Sequence, residues 1–169
     1  PTYTRADADG TESGGSVVTW RELYNPVDSD GFGVVTLVSL DVDNNAQFTA
    51  VGVVAEPGLI YSSLQALYLT DTNYDWQGNN RTTTDVYKFA YSNRSATPVA
   101  TGTVQGRILN QYSMSEYADD LRVATTIDPT WFFNEFGGGI ARESSNQVHV
   151  LGHQGSTLTV VGSIENIAV

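Results

Sequence analysis

Short runs rich in Val, Ile, Leu, Tyr and Thr, separated by Gly, Asn, Asp and Pro, set the rhythm of this chain. VVTLVSLDV (34–42), AQFTAVGVV (46–54), DVYKFAYS (85–92), TPVATGTVQG (97–106), NQVHVLGH (146–153) and TLTVVGSIEN (157–166) carry the β-branched and aromatic residues that suit a pleated, half-buried surface. Almost no segment shows the 3.6-residue period of a helix. The pattern predicts an all-β protein.

The runs come in pairs. TLVSLDV, YKFAYS and VHVLGH are each followed by a turn and then by a strand with glycine near its middle, at Gly52, Gly102 and Gly162. Two further hairpins lie between these pairs, LIYSSLQALYLTDT (59–72) and RILNQYSMSEYADDLRVATT (107–126). A unit of four antiparallel strands, a-b-c-d, therefore repeats at a period of about 50 residues, the signature of a β-propeller blade. In this register residues 59–106 and 107–166 are whole blades, and 16–54 supplies strands b, c and d of an earlier one. Residues 1–15, polar and rich in Gly and Ser, read as a flexible lead-in. Propellers close with about 4 to 8 blades, so this partial propeller is expected to cover its open blade faces with the remaining blades of a longer chain or with copies of itself.

Composition narrows the partners. With 8 Lys+Arg against 19 Asp+Glu and a net charge of -11, nucleic acid and anionic membrane surfaces would be repelled. Lys88 is the one lysine, every other basic residue being arginine. No cysteine is present, which removes disulfides, zinc-thiolate sites and thiol nucleophiles. No apolar run approaches the roughly 20 residues that span a bilayer, so no membrane insertion is expected.

LNQYSMSEYADDLRVATT (109–126), NQVHVLGH and LTVVGSIENIA, in that order, with TWRELY, LVSLDVD, IYSSLQALYLTDTNYDW and TTDVYKFAY upstream, form a set over about residues 16–169. This set resembles bacterial secreted proteins with a C-terminal β-propeller domain distantly related to WD40 repeats. The resemblance implies a propeller fold and a secreted or cell-surface setting, and it implies no reaction and no catalytic residues.

The opening hairpin 109–126 gathers Asn110, Gln111, Ser113, Ser115, Glu116 and Arg122, and it reads as scaffold. Strand a is expected to run to about Tyr117, with Ala118, Asp119 and Asp120 as the turn. The polar side chains would bond to a neighbouring blade, and Glu116 would pair with Arg122. There is no G-x-S-x-G elbow. His149 and His153 lie four residues apart on one strand, about 13 Å at roughly 3.3 Å per residue, too far to share a metal. DADG (7–10), DSDG (28–31) and DVDNN (41–45) begin like calcium loops but lack the later ligands, and read as turns. No catalytic set, cofactor or metal is expected.

The connections from strand b to strand c are the most suggestive feature. They span about 20–33, 71–83 and 128–145, longer than an ordinary hairpin loop, and hold Trp20, Trp76 and Trp131. Tyr74, Asp75, Trp76, Asp128, Trp131, Phe132, Phe133 and Glu135 are the candidate ligand-binding residues, because aromatics beside carboxylates suit sugar stacking or a protein interface. Gly137 to Gly139 predict a mobile third loop. A non-catalytic module holding a protein or glycan is the leading reading. The alternatives are a polysaccharide hydrolase or lyase pairing Asp128 with Asp75 or Glu135, and a purely structural assembly domain.

Overall fold

The structure is a computed structural model that describes residues 1–169 apart from 27–32, 42–46, 57, 75–81, 135–136 and 168–169, with 131–134 and 141 described by their backbone alone. Among the described residues the only helical turns are two single 3-10 turns; the rest of the regular structure is strand, as the patterning predicts. The chain forms two compact units, Pro1–Glu56 with Tyr91–Thr97, and Pro57–Ala90 with Pro98–Val169.

In the first unit, β1 (Thr2–Ala6) and β2 (Glu12–Ser16) pair as an antiparallel hairpin, so the segment expected as a lead-in carries strands. Its turn is held by the Asp7 N–H on the Thr11 carbonyl at 2.9 Å and by the Thr11 N–H on Asp9 Oδ1 at 2.9 Å. After a 3-10 turn at Trp20–Glu22 come β3 (Leu23–Tyr24), β4 (Val34–Leu40) and β5 (Phe48–Val54). The order is β3-β5-β4, with β3 parallel to β5. Reading 16–54 as strands b, c and d placed a strand antiparallel beside β4; the third strand instead takes the other edge of the hairpin.

The second unit holds one sheet. Its strands are β6 (Ile60–Ser62), β7 (Ala66–Tyr74), β8 (Thr82–Ser92), β9 (Ser95–Gln105), β10 (Arg107–Ile108), β11 (Met114–Tyr117) and β12 (Asp120–Ile127); a separate ribbon of β13 (Thr130–Asn134) and β14 (Gly137–Arg142) follows, and then β15 (Ser145–Gln154) and β16 (Thr157–Ile167) return to the sheet. Its order is β10-β12-β15-β16-β9-β8-β7-β6, with β11 also on β12. The halves join at a single parallel bridge, Thr157 to Thr101. Gly102 is required there, since a Cβ at that position would stand 2.3 Å from the Leu158 carbonyl oxygen.

The sheet curls until its ends meet. Glu116 on β11 donates its N–H to the hydroxyl of Tyr61 on β6 at 3.0 Å, and the Ser63 hydroxyl, just past β6, donates to the Glu116 carboxylate. Within the curl Tyr68, Val86, Val104, Leu121, Val123 and Leu151 are buried as one core. The alternation of DLRVATTI explains its share: Leu121, Val123 and Thr125 face inward while Arg122 is exposed.

The opening hairpin departs from expectation in two ways. Its first strand is broken, because the Asn110 side chain accepts the Tyr112 N–H at 2.9 Å and starts a 3-10 turn at Gln111–Ser113. Asn110 thus serves its own turn rather than a neighbouring strand. Second, Ser115 lies opposite Arg122 and Glu116 opposite Leu121, so Glu116 and Arg122 sit on opposite faces and do not pair. Arg122 instead stacks over Tyr117, 5.5 Å from its ring centre. The turn closes on Ala118 and Asp119 alone, both at positive φ (52° and 73°), as a tight hairpin whose twist matches the strands requires.

Candidate functional site

Two of the three b-to-c connections leave the second unit from one rim. Tyr74, the last residue of β7, pairs with Thr82, whose carbonyl accepts the Gly106 N–H; Gly106 in turn lies against the backbone of Thr126, near the end of β12. Thr84 fastens the same corner by donating its hydroxyl to the Gly106 carbonyl at 2.7 Å. The ends of β7 and β12 are therefore linked along one rim through Thr82 and Gly106, although more than fifty residues separate them in sequence.

The predicted site residues divide around this rim. Tyr74 stands there half exposed. Asp128 follows β12, where the Arg107 Nε donates to both of its carboxylate oxygens at 3.0 and 3.2 Å. Trp131, Phe132 and Phe133 lie in β13, so the expected 128–145 loop is a hairpin instead. Its register sets Trp131 opposite Ile140, Phe132 opposite Gly139 and Phe133 opposite Gly138. The glycine run expected to loosen the loop forms strand β14 and brings no side chain to the cross-strand positions. Asp75, Trp76 and Glu135 lie outside the described residues, as does Phe136. Trp20 is 76% exposed on the 3-10 turn of the first unit.

A second cluster escaped the sequence reading. Lys88 on β8 is 2% exposed, and its ammonium contacts the Asp119 carboxylate, donates to the Asp119 carbonyl at 3.2 Å and lies 3.5 Å from Glu116 Oε1. Glu116, equally buried, accepts the Tyr68 hydroxyl at 2.8 Å and the Ser63 hydroxyl. Burial, then the bond to Glu116, raises the Tyr68 phenol well above its ordinary value, so it remains a donor. The Lys88 bond holds the Asp119 carboxyl below the usual carboxylate range. His153 completes the group, with Nδ1 3.5 Å from Asp119 Oδ2 and Nε2 2.8 Å from the Gly155 carbonyl. The signal in the sequence was the lone lysine, placed in the strand YKFA where an inward side chain must find partners.

The family model for the β-propeller domain matches residues 1–169. The chain belongs to the β-propeller domain family. No curated protein and no solved structure matches it. In this β-propeller chain the remaining polar interior is spread along β12 and β15: Thr125 Oγ1, Gln147 Oε1 and both ring nitrogens of His149 are buried and find no partner among the described residues. Burial lowers the His149 pKa, which keeps the ring neutral. In the first unit two cavities of about 390 Å³ flank Phe48, one beside the Asp41–Arg94 ion pair and one under Tyr3, Val38 and Leu40. Among the described residues no three His, Asp or Glu side chains are grouped to hold a metal. Of the acidic turns, Asp7 pairs with Arg5 and Asp9 with its own turn, while 28–31 and most of 41–45 lie outside the described residues.

Proposed function

We propose that this β-propeller domain is a non-catalytic interaction module, which holds a protein or glycan through the rim where its b-to-c connections emerge. The observation that carries the reading is the convergence of β7 and β12 at one rim, with Tyr74 half exposed there and an aromatic β-ribbon inserted between β12 and β15. Rigid aromatic surface at low entropic cost is what a recognition face uses. Against an acid-base role stands the Arg107 guanidinium on Asp128, which occupies both oxygens of that carboxylate and fixes its orientation.

In the same reading β6-β7-β8-β9 and β11-β12-β15-β16 are two four-stranded blades of a WD40-like propeller. The setting is the outside of a bacterial cell, on the strength of the LNQYSMSEYADDLRVATT resemblance. Exposed Val34, Val38 and Leu40 on β4, and Val160, Val161 and Ile164 on β16, are the surfaces that further blades or a second copy would cover.

The experiment is a glycan array together with affinity capture from bacterial surface fractions, comparing the native chain with Trp76→Ala/Trp131→Ala. Binding by the native chain that falls at least about tenfold in the variant supports the rim, since each lost aromatic anchor removes roughly 1–2 kcal/mol or more. Undiminished binding by the folded variant removes this face from consideration.

A further inference from the structure

The buried lysine cluster has the composition of a self-condensing site. Every other basic residue of the chain is arginine, whose guanidinium cannot be deprotonated to a nucleophile; the one amine is buried against a carboxylate, with a second buried carboxylate beside it. Three strands fix the reactants: β8 carries Lys88, β11 carries Glu116, and the tight β11–β12 turn holds Asp119 at positive φ. Such positioning replaces a bimolecular encounter by an intramolecular one, the largest single aid to amide formation.

We propose that Lys88 and Asp119 join through an intramolecular amide bond, a covalent strap between β8 and the β11–β12 turn. Glu116, 3.5 Å from Nζ, takes a proton from the ammonium and passes it to the Asp119 carboxyl, so that a neutral amine meets a neutral acid. The freed amine attacks Asp119 Cγ, forming the C–N bond, and the Cγ–Oδ2 bond breaks. Of the three protons on Nζ, one stays on the amide nitrogen and two leave with Oδ2 as water. Glu116 ferries protons and ends as it began, so no oxidant or outside reactant is needed.

The leaving oxygen is suitably placed. Oδ1 is held on Lys88 while Oδ2 faces His153 Nδ1 at 3.5 Å, on an aspartate whose side chain is 62% exposed, so that water can escape to solvent. Condensation replaces a buried ammonium and its counter-charge by a neutral amide, which removes the desolvation cost that a buried ion pair carries. The strap also crosses the closure of the curled sheet in a chain without cysteine, where no disulfide is available.

The test is intact mass spectrometry of the purified chain, shown to be folded by circular dichroism, followed by peptide mapping. The native chain is expected to weigh one water less than its sequence, with the loss mapped to a branched peptide joining Lys88 and Asp119. Asp119→Asn is expected to lose ammonia instead. Lys88→Arg and Asp119→Ala should keep their full sequence mass, and Glu116→Gln should remain largely unlinked. A folded native chain that retains its full mass after prolonged incubation at neutral pH overturns the proposal. So does a water loss that maps to the Asp9–Gly10 or Asp30–Gly31 steps, as an imide would, or to a Lys88–Glu116 link.

Discussion

Gly102 and Gly162 occupy equivalent places in the repeat, yet the structure gives them opposite sensitivities. Neither has a left-handed backbone, so alanine is allowed at both and only space decides. At Gly102 a Cβ would lie 2.3 Å from the Leu158 carbonyl oxygen and 2.7 Å from its Cβ; Leu158 is buried and these are not flexible side-chain ends. β9 must then part from β16 at the bridge that joins the two halves of the sheet. Overpacking of this kind costs about 1–3 kcal/mol, and the rigid neighbours put Gly102→Ala at the upper end. For a chain of this length that lowers Tm by about 6–12 °C.

At Gly162 the nearest atoms to a new Cβ belong to Val150 at 3.9 Å, an ordinary contact. Alanine there recovers roughly 0.5–1 kcal/mol of backbone entropy, so Gly162→Ala should be neutral or slightly stabilising. Both sites belong to the same compact unit, and urea denaturation followed by tyrosine and tryptophan fluorescence compares them on one scale. Equal losses for the two variants, or a neutral Gly102→Ala, would refute the close approach of β9 and β16.

Other consequences are as direct. Leu151 is fully buried in the core, so Leu151→Ala should cost about 2–5 kcal/mol, whereas Val161→Ala, at a residue 55% exposed, should stay within about 0.5 kcal/mol in the same denaturation assay. Asn110→Ala removes the acceptor that starts the 3-10 turn and should cost about 0.5–1 kcal/mol, with faster amide exchange at Tyr112 as the local readout. His149 has its pKa lowered by burial from an ordinary 6.5, so the unfolded chain takes up the proton first. Stability from this group is complete above about pH 6.5, falls as the pH drops below it, and levels off once the folded ring also protonates. In His149→Phe the slope of stability against pH between 6.5 and 5 should shrink; an unchanged slope would remove His149 as its source.

What the sequence determined by itself is local. Alternation within DLRVATTI specified which residues face inward, whereas NQVHVLGH buries Gln147, His149 and Leu151 and leaves Val148 and Val150 only partly buried; turn residues between adjacent apolar runs specified the hairpins, because strand pairing across a short turn needs no distant information. Recurrence of those hairpins led to the propeller family that the match over residues 1–169 identifies. The limits also came from locality. Long connections read as loops because Gly137 to Gly139 resemble a breaker, yet in register opposite Phe133, Phe132 and their neighbours they continue a ribbon.

Only the tertiary structure decided who meets whom across the curl. Glu116 was expected to pair with Arg122, and the one-residue offset that sets it opposite Leu121 sends it to Tyr68 and Lys88 instead. Those partners lie 48 and 28 positions away in sequence. Periodicity of two assigns a face, but what that face touches depends on how far the sheet bends. The same bend brings β7 and β12 to one rim and assembles the lysine, the two carboxylates and the histidine, none of which any spacing in the chain announces.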